Sequence, residues 1–131
     1  HVGQEDMPLA DVRALMPNGL IGLSVHSAQT MQAALAQRSL LDYVGLGPIY
    51  PTATKSDAAA PVGLDGLAHI RAMSTVPIVA IGGINTTTLP LLQKGLAQIK
   101  TCVDGVAVVS AILAADDISL ASQRLKNQLK Q

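Results

Sequence analysis

The sequence predicts an α/β domain organised around a parallel sheet, on three observations. Strand-like and helix-like segments alternate along all 131 residues. The strand-like segments, such as Ile78-Val79-Ala80-Ile81 and Val106-Ala107-Val108-Val109, are nearly continuous aliphatic runs, which points to strands buried on both faces under helices. Each run ends in Gly, Pro or hydroxyl residues, the composition of working loops beyond the carboxyl ends of parallel strands. The β-α alternation excludes sandwiches and helical bundles. An open doubly wound sheet and a (β/α)8 barrel both fit. A barrel usually takes about 250 residues, so this chain would supply four strands and their helices, roughly a second half.

The elements follow in order. Leu9, Val12, Leu15 and Met16 recur at helical spacing over 8–16, with Pro8 suited to the first turn and Gly19 to a stop. A short strand spans 20–25. Ser27 suits the N-cap of a helix over 28–38 with Met31, Ala34 and Leu35 inward. A strand over 42–47 leads to Pro48, and 58–63 is a small-residue loop. A helix over 64–74 turns Leu67, Ile70 and Met73 inward. The strand over 76–81 carries Pro77 near its start, where a missing N–H is tolerable. A helix over 86–100 has Pro90 in its first turn. A strand over 104–109 follows. Ser119 then caps a last amphipathic helix, with Leu120, Leu125 and Leu129 inward and Arg124, Lys126 and Lys130 outward. Linkers, low-complexity segments and close repeats are absent from the sequence, so 1–131 reads as part of one domain.

Composition narrows the function classes. Hydrophobic residues make up 49% and charged residues 14%, with formal net charge zero, so nothing suggests a nucleic acid or an acidic membrane as partner. With no Phe, no Trp and two Tyr, the core is aliphatic. The apolar runs fall far short of the roughly 20 residues of a membrane span. Cys102 is the single cysteine, so an internal disulfide is impossible and a reducing cytoplasm is the expected setting. The chain opens on His1 and a polar, turn-like Gly3-Gln4-Glu5-Asp6, which reads as a piece of something longer.

Three strand ends carry the candidate chemistry. Gly45-Leu46-Gly47-Pro48-Ile49-Tyr50-Pro51-Thr52-Ala53-Thr54-Lys55 ends a buried strand in a loop with two hydroxyls and one ammonium, groups able to hold a phosphate or diphosphate. Gly82-Gly83 follows a strand and precedes Asn85-Thr86-Thr87-Thr88, a helix-capping stretch. Glycine amides and a helix start both suit phosphate. Val109-Ser110-Ala111-Ile112 opens a helical turn after the next strand, and in barrels the last two such loops commonly share one phosphate site. Glu5 and Asp6 precede a helix. By spacing Asp6 reads as an N-cap, and its carboxylate also suits Mg²⁺. Ser24 and His26 stand at a strand end, where one is expected on the site side and the other on the wall. His26 in the site would be a general base. His1 and His69 have no identifiable partners.

Together these residues resemble the thiamine-phosphate synthase family. His-Val-Gly-Gln-Glu-Asp (1–6), Gly-Leu-Ser-Val-His (22–26), the 42–55 run, Val-Ala-Ile-Gly-Gly-Ile (79–84) and Asp-Gly-Val-Ala-Val-Val-Ser-Ala-Ile (104–112) follow its order. The resemblance implies a (β/α)8 TIM barrel, of which this chain covers the C-terminal half. It implies the joining of hydroxymethylpyrimidine diphosphate to hydroxyethylthiazole phosphate, with release of pyrophosphate. On it, Asp6 is a Mg²⁺ ligand, and Ser24 and Lys55 bind the pyrimidine diphosphate. Thr52, Ala53, Thr54, Gly83, Val109 and Ser110 bind the thiazole phosphate. The family's N-terminal half, with its Gln-x-Arg-x-Lys strand and Asn-Asp pair, lies outside this sequence, and 96–103 looks like an insertion. The chain alone is therefore expected to be inactive, and to self-associate or to join the missing N-terminal half. Competing functions are a thiazole tautomerase using His26 and an inactive phosphate-binding half-barrel.

Overall fold

The computed structural model describes residues 1–52 and 60–130. Four strands, β1 (Gly22–Val25), β2 (Tyr43–Leu46), β3 (Ile78–Ile81) and β4 (Gly105–Ala107), form one sheet in the order β1-β2-β3-β4. All three pairings are parallel, with Ser24 beside Gly45, Gly45 beside Val79, and Val79 beside Gly105. The helices are α1 (Leu9–Leu15), α2 (Ala28–Ala36), α3 (Gly63–Met73), α4 (Thr88–Gln98), the short α5 (Ser110–Leu113) and α6 (Ile118–Leu129). A 3-10 turn at Arg38–Leu40 follows α2.

Local chemistry explains these elements. Ser27 Oγ accepts the Thr30 N–H at 3.1 Å while Thr30 Oγ1 accepts the Ser27 N–H at 3.0 Å, a capping box that fixes the start of α2. The helix core is aliphatic as expected. Leu23, Val25, Val44, Leu46, Ile78 and Ala80 on one face of the sheet join Met31, Ala34, Leu67, Ile70, Leu89 and Leu92 in a single buried cluster. The face opposite carries Gly22, Ser24, Tyr43, Gly45, Val79 and Gly105. The helix-side half of the expected two-sided burial holds, whereas this second face is only partly covered among the described residues.

Three sequence expectations shift. The last helix is capped by Asp117, whose carboxylate accepts the Leu120 N–H at 2.8 Å, and not by Ser119. Of its three leucines Leu125 is buried while Leu120 and Leu129 are exposed. The first residues are not simply a turn: Val2 pairs with Leu23 in parallel, donating to Gly22 O and accepting from Ser24 N, both at 3.0 Å. A single bridged residue has no periodicity for a sequence to display.

At the amino-terminal edge of the sheet one device occurs twice. The carboxylate of Asp42 accepts the Ile21 N–H at 2.8 Å and meets Arg13 of α1 at 2.9 Å. The carboxylate of Asp104 accepts the Ile78 N–H at 2.8 Å and meets Arg71 of α3 at 3.2 Å. Each carboxylate ties its own strand to the one before it, and each arginine also caps carbonyls, Gly19 O for Arg13 and Val76 O for Arg71. The Ile21 amide and then the Arg13 guanidinium hold the Asp42 carboxyl below its ordinary value of 3.8.

A group with a depressed folded-state pKa stabilises the fold above its unfolded value and loses that contribution as pH falls through the folded value. Asp42→Asn is therefore expected to lower the urea midpoint at pH 7, and the gap to the native chain should narrow as pH falls below about 4. A gap that stays constant down to pH 2 would contradict the ion-pair assignment.

Candidate active site

Beyond the carboxyl ends of β2 and β3 the two loops continue to pair. Ile49 N donates to Ile81 O at 2.9 Å and Tyr50 N to Gly82 O at 3.1 Å. Val62 N donates to Pro48 O at 2.7 Å, returning the chain from the loop. Gly82 and Gly83 lie in the left-handed region, with φ of 95° and 67°. A Cβ on Gly83 would approach Tyr50 Cβ to 2.7 Å and Pro51 O to 2.8 Å. Only glycine permits this turn with that neighbour.

The start of α4 is closed by its own side chains. Asn85 Oδ1 accepts the N–H groups of Thr87 at 2.9 Å and Thr88 at 3.0 Å. Thr88 Oγ1 accepts from Asn85 N at 2.9 Å and donates to Gly83 O at 2.8 Å. The helix end is thus already satisfied. The Gly83 N–H has no hydrogen-bond acceptor among the described residues. A loop amide, that of Gly83, and not the end of the helix, is the group left to meet an anion.

A cavity of about 620 Å³ opens at this point. Tyr50, Pro51 and Thr52 line it from the β2 loop, Gly83, Asn85 and Thr88 from the β3 loop, and Ser110 from the segment after β4. Burial raises the Tyr50 phenol above 10.0, so it remains a neutral donor throughout the physiological range.

Ser24 sits on the partly covered face of β1. Its Oγ lies 2.9 Å from His1 Nε2, its carbonyl accepts from Gln4 Nε2 at 2.5 Å, and its N–H is held by Val2. The loop that follows Val2 carries Asp6, whose Oδ2 accepts the Gly3 N–H at 2.5 Å. Since Val2 runs parallel to β1, this loop leaves at the same end of the sheet as the β2, β3 and β4 loops. No group of three or more His, Cys, Asp and Glu able to hold a metal exists among the described residues. One exposed carboxylate oxygen fits Mg²⁺ of the kind that keeps most of its shell as water and phosphate oxygen, and does not fit an all-protein cage.

Of the sequence-predicted residues, Thr52, Gly83 and Ser110 therefore line one cavity, and Val109 precedes Ser110 directly. Ser24 and Asp6 stand on neighbouring segments at the same end. Ala53, Thr54, Lys55 and the first two residues of the 58–63 loop lie outside the described residues, and Gly63 already belongs to α3. His26 and Ser24 do not divide between site and wall: residues two apart in a strand share a face, and β1 in any case ends at Val25, with the His26 N–H given to Thr30 Oγ1 at 3.0 Å. Sequence reading missed Tyr50, Asn85 and Thr88 as lining groups, although Asn85 and Thr88 stand at capping-box spacing. It also missed the contacts of His1, for which no local signal exists.

Parallel strands with helices on one face and polar loops gathered at their carboxyl ends define a protein of the (β/α)-barrel type, with a candidate site on those loops. The family model TMP-TENI, thiamine monophosphate synthase, matches residues 1–112. The chain belongs to that family. It is 49% identical over 126 residues to the thiamine-phosphate synthase of Chloroflexus aurantiacus, covering 96% of this chain and 55% of that protein. It is 39% identical over 131 residues to that of Methanocella arvoryzae, covering 58% of it. The thiamine phosphate pyrophosphorylase of Pyrococcus furiosus superposes with a TM-score of 0.79 at 36% identity, over 98% of this chain and 57% of that one. A 3-hexulose-6-phosphate synthase, at TM-score 0.58 and 21% identity over 91% of this chain and 54% of that one, shares the fold. The chain thus spans somewhat over half the length of the relatives it matches.

Gly83→Ala tests the loop geometry. A left-handed alanine costs about 1–2 kcal/mol before any contact is counted, and Tyr50 and Pro51 leave its methyl no room. Urea denaturation should show a loss at or above that range. An unchanged midpoint would mean that the Gly83 turn is not as described.

Proposed function

We propose that this chain carries the substrate site of a thiamine-phosphate synthase, within the C-terminal part of a single barrel domain. The reaction is the Mg²⁺-assisted joining of hydroxymethylpyrimidine diphosphate to hydroxyethylthiazole phosphate, giving thiamine phosphate and pyrophosphate. The observation that carries this reading is the gathering of Thr52, Gly83 and Ser110, from three successive strand ends, around one cavity. Membership of the family supports it.

In this reading Thr52, Ala53, Thr54, Gly83, Val109 and Ser110 hold the thiazole phosphate. Ser24 and Lys55 hold the pyrimidine diphosphate. Asp6 would hold Mg²⁺, which supplies positive charge against the departing diphosphate. Lys55 neutralises the same charge as the bond between the pyrimidine methylene carbon and the diphosphate oxygen breaks, the electron pair leaving with oxygen. The ring amino group stabilises the methylene cation that remains. The thiazole nitrogen, positioned through its phosphate, then donates its lone pair to form the new C–N bond. The chain supplies position and electrostatics, and no residue acts as nucleophile. A reducing cytoplasm suits the exposed free thiol of Cys102, and no described helix is long and apolar enough to cross a membrane.

Exposed apolar side chains flank both ends of the sheet, including Leu15 and Leu20 before β1 and Leu113, Ile118 and Leu129 after β4. Their cover is a second copy of the chain or the N-terminal half of the barrel that the relatives' greater length accommodates. Light scattering coupled to size exclusion is expected to show self-association of the 131-residue chain, and a stable well-folded monomer would contradict it.

The activity is tested with both substrates and Mg²⁺, in the chain alone and with the N-terminal half supplied. Equimolar thiamine phosphate and pyrophosphate support the reading. Thiazole isomerisation without any pyrimidine diphosphate would identify a tautomerase, and tight thiazole-phosphate binding without turnover an inactive half-barrel. In the active assembly Lys55→Ala should cut use of the pyrimidine diphosphate by about 100-fold or more, with thiazole-phosphate binding changed far less. Equal losses for both would contradict the assignment of Lys55.

A further inference from the structure

Among the described residues His1 is the one ring held by two side chains on the partly covered face of the sheet. Its Nε2 lies 2.9 Å from Ser24 Oγ and its Nδ1 3.1 Å from Tyr43 Oη, bridging β1 and β2. The ring has room there because its neighbours in the sheet are glycines. A Cβ on Gly22 would come within 2.6 Å of His1 Nδ1, and one on Gly45 within 2.8 Å of His1 Cε1. The backbone beneath is fixed by the two Val2 hydrogen bonds to β1, and Gln4 holds the Ser24 carbonyl. His1 Nε2, Val2 O and Gln4 Nε2 thus converge on Ser24.

A neutral imidazole carries one proton, so its two nitrogens play opposite roles. If Ser24 donates to Nε2, the serine turns only lone pairs outward and cannot bond an anionic oxygen. If the Tyr43 phenol donates to Nδ1, the ring proton sits on Nε2 and goes to Ser24 Oγ. The Ser24 hydrogen is then released outward as a donor. An anionic ligand at Ser24 selects this second polarity.

We propose that His1 is the positioning residue of Ser24: polarised by Tyr43, it donates from Nε2 to Ser24 Oγ and so aims the Ser24 hydroxyl hydrogen at a bound diphosphate. The proposal rests on the assignment of Ser24 to the diphosphate made above, and two readouts separate the two claims.

The first readout is the ¹⁵N resonances of the histidine rings in the 131-residue chain. Ser24→Ala should move His1 Nε2 and Tyr43→Phe should move His1 Nδ1, with His26 and His69 unaffected. A His1 ring indifferent to both substitutions overturns the proposal. The second is calorimetric binding of inorganic pyrophosphate with Mg²⁺. His1→Asn and Ser24→Ala should each weaken it about tenfold, the worth of one hydrogen bond to a charged group, and the double variant should be no weaker than either. His1→Gln, whose amide reaches the place of Nε2, should recover most of the loss. Gly45→Ala, which leaves both partners intact and displaces the ring, should resemble His1→Asn. Additive losses, or a Gln variant no better than Asn, overturn the proposal. Ring coupling in the chain, with no pyrophosphate bound even when the N-terminal half is supplied, supports the His1–Ser24 arrangement and overturns the diphosphate assignment instead.

Discussion

The site depends on two loops that go on pairing after their strands have ended. A parallel ladder fixes its strands only while the hydrogen bonds last, and the first free residues usually diverge. Here the Ile49 and Tyr50 amides reach Ile81 O and Gly82 O, so the ladder is extended to the point where the cavity begins. The extension requires a close approach of backbone to backbone. At Gly47 a Cβ would lie 2.2 Å from Ile81 O, and at Gly82 2.6 Å from Pro48 Cα. With the loops locked together, Thr52 and Gly83 keep a fixed relation across the cavity, a relation that separately hinged loops would lose.

The two ends of the sheet divide the work. At the amino-terminal end the Arg13–Asp42 and Arg71–Asp104 pairs spend their charge on backbone groups and on each other. Neither carboxylate is available for chemistry, because each already accepts a strand amide. At the opposite end the described polar groups include hydroxyls, a loop amide and the carboxylate of Asp6. That division matches a barrel, where the carboxyl ends of the strands carry function and the other end carries stability.

How much of this is legible in the sequence varies with the range of the interaction. Ser27 and Thr30 announce their capping box three residues apart, and Gly82-Gly83 after an aliphatic run announces the sharp turn. Leu67, Ile70, Leu89 and Leu92 fall inside because helical periodicity is a local signal. Asp117 and Ser119 are both good capping residues, and composition alone does not choose between them. The hydrogen bond between His1 and Ser24 spans 23 positions, and it exists only because Val2 joins β1 in parallel register. No pattern within a helix or a strand encodes it. The loop carrying Ala53, Thr54 and Lys55 was read from sequence alone, and its roles stand on the resemblance.

The glycines of the partly covered face show what the function asks of the fold. Gly22, Gly45 and Gly105 stand in strands where Val or Ile would suit the backbone better, and each glycine in a regular element costs roughly 0.5–1 kcal/mol against alanine. At Gly22 and Gly45 a side chain would fill the space above β1 and β2 that the His1 ring occupies. The opposite face carries no such restraint, and Leu23, Val25, Val44 and Leu46 fill it completely. Stability therefore comes from one side of the sheet, and the other side gives up packing so that a polar network can stand over bare backbone. In the proposed reading this is the space in which a diphosphate meets Ser24. The same reasoning explains why a sequence so aliphatic places Ser24 in the middle of its first strand. On that face the hydroxyl takes nothing from the core, and in the proposed reading it serves a ligand beside His1.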